Sequence, residues 1–157
     1  MEPHDKVDDF TLQNQDEETV HLSDFAGKPV VLFFYPKADT PGCTIEACGF
    51  RDTFSKLQEA GAVVLGISRD TPKAQKRFKE KYGLPYPLLA DTDETVCKQF
   101  DVLREKNMYG KKVIGIERTT FLIGPDRRLL KKFPKVKPEG HAEEVLQALQ
   151  NDAEAGA

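Results

Sequence analysis

The sequence predicts one α/β domain, a central mixed β-sheet with helices on both faces. Three observations carry that expectation. Val30-Val31-Leu32-Phe33-Phe34-Tyr35 is an unbroken apolar run of β-branched and aromatic residues, as in a strand buried on both faces. Ala62-Val63-Val64-Leu65-Gly66-Ile67-Ser68 is a second run of the same kind. Between them Phe50, Phe54 and Leu57 recur at helical spacing, so the order is that of a right-handed βαβ unit. The 157 residues suit a single domain, 1–157, with a substantial core.

The remaining elements follow in order. Asp9-Phe10-Thr11-Leu12-Gln13 and Thr19-Val20-His21-Leu22 flank a polar stretch and predict an N-terminal β-hairpin. Ser23-Asp24-Phe25 starts a short helical turn that Gly27 ends. The central strand runs from Pro29 to Tyr35, and a long helix from about Pro41 to Ala60, stopped by Gly61. Thr71-Pro72 signals a cap and opens a polar helix to about Tyr82. Leu88-Leu89-Ala90 is a short strand, and Asp91 or Thr92 caps the helix carrying Val96, Cys97 and Phe100. Tyr109-Gly110-Lys111-Lys112 reads as a mobile surface loop and Ile114 to Ile123 as one strand. Gly124 to Arg127 turns the chain into a hairpin with Arg128 to Phe133. Glu139 to Gln150 is a final helix, and about 151–157, small and polar, is expected to be a disordered tail.

Composition excludes several classes. The net charge of −3 gives no support for nucleic-acid binding, and the Lys131-Lys132-x2-Lys135-x-Lys137 run reads as a solvated strand end. No apolar segment is long enough to span a bilayer, so no membrane partner is expected. The N-terminus is charged from the start, which makes a cytoplasmic location the expectation. Three cysteines do not make a secreted disulfide framework. His4, His21 and His141 lie far from the cysteines in sequence and no C-x2-C knuckle is present, so no metal site is expected.

Two of the three cysteines fall on the turn from the central strand into the long helix. Thr40 is a good N-cap and Pro41 suits the first helical position. Cys43 is then at the third helical position, where the backbone N–H is an orphan donor and the helix dipole is positive. A thiolate there takes the place a capping-box carboxylate would have, and helix N-termini favour thiol ionisation. Cys48 is five residues further on. In an intact helix the two Cα atoms stand about 8.5 Å apart on different sides. A disulfide needs less than roughly 7 Å. Either the pair never bonds or the first turns unwind.

Pro36-x3-Thr40-x2-Cys43 resembles the active-site signature of the peroxiredoxins. The run Thr40-Pro41-Gly42-Cys43-Thr44-x-Glu46-Ala47-Cys48-x-Phe50-Arg51-Asp52 is similar to the bacterioferritin comigratory protein, or peroxiredoxin Q, subfamily. The likeness extends from Asp9 to Ile123. It implies a thioredoxin fold with an N-terminal extension and a thiol peroxidase with no cofactor. It also implies roles: Cys43 as the peroxidatic nucleophile, Cys48 as the resolving thiol, Thr40 and Arg118 as donors to thiolate and peroxide, and Pro36 as a lid against water. Glu46, one turn after Cys43, is expected to pair with Arg118 and orient it. Cys97, in an apolar helical pattern, is expected to be a core residue.

The expected reaction converts the Cys43 thiolate to a sulfenic acid, which Cys48 captures as an intramolecular disulfide. A dithiol such as thioredoxin then reduces it by exchange. An unperturbed cysteine is already a few per cent thiolate at neutral pH, so full ionisation gains only about 30-fold. Donors aimed at the O–O bond must supply the rest. The resemblance leans to a monomer over a dimer. The competing reading is a peroxide-sensing protein oxidised stoichiometrically rather than catalytically.

Overall fold

The computed structural model describes residues 1–155. Its main sheet has seven strands: β1 (Thr11–Asn14), β2 (Thr19–His21), β3 (Val30–Phe34), β4 (Val63–Ser68), β5 (Leu88–Ala90), β8 (Thr119–Ile123) and β9 (Leu129–Phe133). Their spatial order is β2-β1-β5-β4-β3-β8-β9. β3 pairs parallel with β4 and antiparallel with β8, which makes the sheet mixed. The N-terminal hairpin joins through β1 against β5. A separate two-stranded sheet is formed by β6 (Leu103–Met108) and β7 (Lys111–Ile116).

β3 shows why the unbroken apolar run predicts double burial. All five of its residues are buried, and alternate side chains serve different cores. Val31 and Phe33 join the core that holds Cys43, Ala47, Phe50 and Leu57 of helix α1 (Pro41–Glu59) and Val145 and Leu149 of helix α4 (His141–Ala155). Val30, Leu32 and Phe34 join Val96 and Cys97 of helix α3 (Thr95–Gln99) on the opposite face. Helix α2 (Pro72–Tyr82) starts at the expected cap, with the Thr71 hydroxyl accepting from the Ala74 N–H. Gly61, following α1, has φ +83°, the left-handed conformation that lets the chain leave the helix.

Three expectations need correction. Lys111 and Lys112 belong to β7 rather than to a loop, because Tyr109 and Gly110, at φ 54° and 78°, make the tight turn of a β6–β7 hairpin. The strand expected over 114–123 is two strands, broken at Glu117 and Arg118: the Glu117 N–H to Val102 carbonyl bond is the last of the β6–β7 pairing, and the chain then crosses to the main sheet as β8. The last helix continues past Gln150 to Ala155, over residues expected in the tail, and the end of that tail lies outside the described residues.

Candidate active site

β3 leads directly into the site. Its pairing continues for one residue, through the Tyr35 N–H to the Ile67 carbonyl, and stops at Pro36, which has no N–H to offer. The connecting loop is held from the β4–α2 turn and from the end of α2. The Ala38 N–H donates to the Asp70 carboxylate at 2.8 Å, and the Asp39 carboxylate accepts from Lys81 Nζ at 2.8 Å and the Tyr82 hydroxyl at 2.6 Å. Helix α1 then begins at Pro41 and carries Cys43, Glu46 and Cys48.

Cys43 is 1% exposed, yet it is not sealed among apolar groups. Arg118 Nη1 stands 3.4 Å from its sulfur and 3.0 Å from Glu46 Oε1. The break between β7 and β8 puts Arg118 here: a residue outside the ladder can send its side chain across to α1. Gly42 makes room for it, since a Cβ at that position would fall 2.9 Å from Arg118 Nη2. Pro138, leading into α4, closes the other side of Gly42.

The charges are unequal. Glu46 is fully buried, and burial pushes its carboxyl up to about 7 although Arg118 pulls the other way. Burial also works against the Arg118 charge, but the Glu46 carboxylate and the Cys43 sulfur outweigh it and hold the guanidinium above its usual value. The two directions are compatible because Arg118 keeps an edge near solvent and Glu46 does not. Among the described residues, Glu46 Oε2 has no hydrogen-bond partner.

Thr40 differs from expectation. Its backbone is extended, as an N-cap requires, but its hydroxyl makes no cap bond and donates to the Lys37 carbonyl at 2.8 Å. The hydroxyl closes its own loop, which leaves the Cys43 N–H without a side-chain acceptor and the Thr40 oxygen free to accept. Pro36 is half-buried at the mouth of the loop.

Cys48 is half-buried, free, and on a helix that remains wound through both cysteines. It lines a cleft of about 440 Å³ with Ile45, Asp52, Pro138 and Ala142, between α1 and the start of α4. Cys97 is buried on the far side of the sheet. Burial and the neighbouring Asp91 carboxylate push its thiol far up, and Asp91 also accepts from the Val96 and Cys97 N–H groups. Asp91 is thus the side-chain cap of α3, as one of the two expected candidates.

Two neighbours of the site escaped sequence reasoning. The Tyr86 hydroxyl donates to the Ala47 carbonyl at 2.7 Å, pinning α1 between the two cysteines. His141 is buried at the start of α4 with Nε2 2.8 Å from the Thr120 hydroxyl, and burial pulls it down to about 4. Tyr86 carried a signal, a polar-tipped ring within Leu84-Pro85-Tyr86-Pro87-Leu88, whereas His141, among Glu139, Gly140, Glu143 and Glu144, carried none. Among the described residues no group of three or more His, Cys, Asp or Glu side chains could hold a metal ion, and no helix is long and apolar enough to cross a membrane.

Comparison with known proteins gives concordant matches. The family model for the AhpC/TSA family matches residues 3–132. The peroxiredoxin Bcp of Bacillus subtilis is 46% identical over 149 residues, covering 95% of each chain. A Coxiella burnetii relative bearing the Bcp name is 54% identical over 146 residues, covering 93% of this chain and 97% of its own. The structure of the Xanthomonas campestris bacterioferritin comigratory protein, described for its alkyl peroxide reduction activity, superposes with a TM-score of 0.88 at 44% identity over 92% of each chain. A Xylella fastidiosa PrxQ mutant gives 0.93 at 41% identity over 98% of each chain.

Proposed function

Because the chain belongs to the AhpC/TSA family of thiol peroxidases, in its Bcp or peroxiredoxin Q branch, we propose that Cys43 is the sulfur that attacks the peroxide and Cys48 the thiol that resolves the product. The observation that carries this reading is the Arg118 guanidinium placed between the Cys43 sulfur and Glu46. A fixed planar donor beside a buried sulfur stabilises a thiolate and can hydrogen-bond a peroxide in the same plane.

Peroxide enters under Pro36. The Cys43 N–H, left without a side-chain partner, donates to it together with Arg118, and the Thr40 oxygen accepts. The thiolate takes the near oxygen, becomes a sulfenic acid, and releases water or an alcohol. Glu46 holds Arg118 in position. The start of α1 then unwinds, because an intact helix keeps the two sulfurs from bonding. Cys48 condenses with the sulfenic acid, and a thioredoxin-type dithiol reduces the disulfide by exchange. The chain works as a cytoplasmic monomer in this reading.

The test is Cys48→Ser. Reduced variant protein should consume about one equivalent of peroxide and then stall as the sulfenic acid or over-oxidise, read by intact mass. In the parent protein one equivalent should remove two hydrogens across Cys43 and Cys48. Normal thioredoxin-linked turnover by the variant would eliminate Cys48 as the resolver.

A further inference from the structure

Two acidic groups share one cation in this site. The Cys43 sulfur and Glu46 Oε1 both approach Nη1 of Arg118, at 3.4 and 3.0 Å. Both side chains are closed to solvent, and Glu46 Oε2 is buried with no hydrogen-bond partner among the described residues. One guanidinium neutralises one anion. With thiolate and carboxylate both charged, the site would hold an excess negative charge and a bare carboxylate oxygen, the costliest state for a buried acid. The groups around Glu46 do not relieve this. Arg118 comes from the β7–β8 break and Cys43 from the preceding turn of α1. Tyr86, before β5, spends its hydroxyl on the Ala47 carbonyl. His141, from α4, is kept neutral by burial.

Resting on the assignment of Cys43 as the attacking thiolate, we propose that Glu46 is the proton carrier of the reaction: it holds on Oε2 the proton that Cys43 gives up, and passes it to the oxygen that leaves the peroxide. The step balances. The Cys43 thiol and the Glu46 carboxylate become a thiolate and a carboxylic acid. The sulfur lone pair forms the S–O bond to the terminal hydroxyl while the O–O bond breaks, and that electron pair leaves on the alkoxide oxygen. The Glu46 proton converts the alkoxide to an alcohol. The sum is thiol plus hydroperoxide to sulfenic acid plus alcohol, with no further reactant.

The chemistry needs such a proton. Hydroxide, the leaving group from hydrogen peroxide, is the conjugate base of water, a far weaker acid than any carboxyl. A carboxyl that gains and loses its proton near neutrality, as Glu46 does at about 7, suits that task.

Leaving-group chemistry tests the idea on the full reduced protein. A peroxyacid expels a carboxylate, stable without a proton, whereas an alkyl hydroperoxide expels an alkoxide. Stopped-flow oxidation by each should give an alkyl-to-peroxyacid rate ratio that falls as pH rises through about 7. Glu46→Gln should slow both by loosening Arg118, but should lower the ratio itself about 100-fold and flatten its pH dependence. A flat ratio in the parent protein overturns the proposal, and that measurement stands even should the variant misfold. An unchanged ratio in a folded Glu46→Gln protein also overturns it, leaving Glu46 as a positioner of Arg118. Failure of both oxidants to oxidise Cys43 would instead refute the peroxidase assignment on which the proposal rests.

Discussion

Glu46→Gln should also expose a hidden pH dependence of folding. Two buried groups titrate in opposite senses. Burial raises the Glu46 carboxyl from 4.5 to about 7, so the folded state keeps a proton the unfolded chain has lost. Stability therefore falls as pH rises from about 4.5 to 7. Burial lowers His141 from 6.5 to about 4, so the unfolded chain holds a proton the folded state refuses. That stability is present above 6.5 and is lost as pH falls toward 4. Each shift spans similar ground, and at 1.36 kcal/mol per pH unit each is worth about 3 kcal/mol. Between about 4.5 and 6.5 the two nearly cancel, giving the parent protein a flat profile. Removing the carboxyl leaves His141 alone, and the variant should gain about 3 kcal/mol from pH 4 to 6.5. Urea unfolding of both reduced proteins across this range gives the two curves. Asp9, Asp39 and Asp93 are held below the usual carboxylate range, act at lower pH, and are common to both proteins. Parallel curves for parent and variant would refute the opposition of the two groups.

Gly42→Ala should keep the helix, since alanine is favoured there by about 1 kcal/mol, yet slow Cys43 oxidation. Its Cβ would meet Arg118 Nη2 at 2.9 Å, and a displacement of about 1 Å can cost about 100-fold, measurable by stopped flow beside circular dichroism. Cys97→Ala should lower stability by about 1–2 kcal/mol through a small cavity while thioredoxin-linked turnover stays within about twofold. Loss of turnover there would bring the third thiol into the chemistry.

What the sequence made legible was local. The unbroken run at 30–35, the Thr71-Pro72 cap and the glycine after α1 each act within a few residues, and the strands and helices they predict are present. What it hid depends on competition or on distance. β6 reads Leu-Arg-Glu-Lys-Asn-Met, without the alternation of a half-buried strand, because the small sheet it forms is largely exposed. The Thr40 hydroxyl could donate to the Lys37 carbonyl or accept from the Cys43 N–H as a cap, and nothing in the residue types decides for the first. Glu46 could face solvent or core by helical period alone. Its burial is decided by Arg118, 72 positions away, and Arg118 reaches it only because the strand is broken there.

These details bear on how the first turns of α1 could open. The helix start is weakly held from within: the Thr40 hydroxyl makes no cap bond, the first turn has no acidic residue, and a glycine stands at the second position. An absent cap bond forgoes about 1 kcal/mol, and a glycine in the first turn adds a smaller cost of the same sign. The start is held from outside, by the Tyr86 hydroxyl on the Ala47 carbonyl and by Arg118 on Cys43 and Glu46. A hydrogen bond to an ionised partner is roughly twice as strong as one between neutral groups. On the proposed reaction, the thiolate that Arg118 grips becomes a neutral sulfenic acid while Glu46 is left ionised, so the guanidinium shifts its hold from Cys43 to Glu46 at the moment Cys43 must come free. The same guanidinium then serves attack while the sulfur is charged and release once it is not, which couples the chemical step to the opening without a separate trigger.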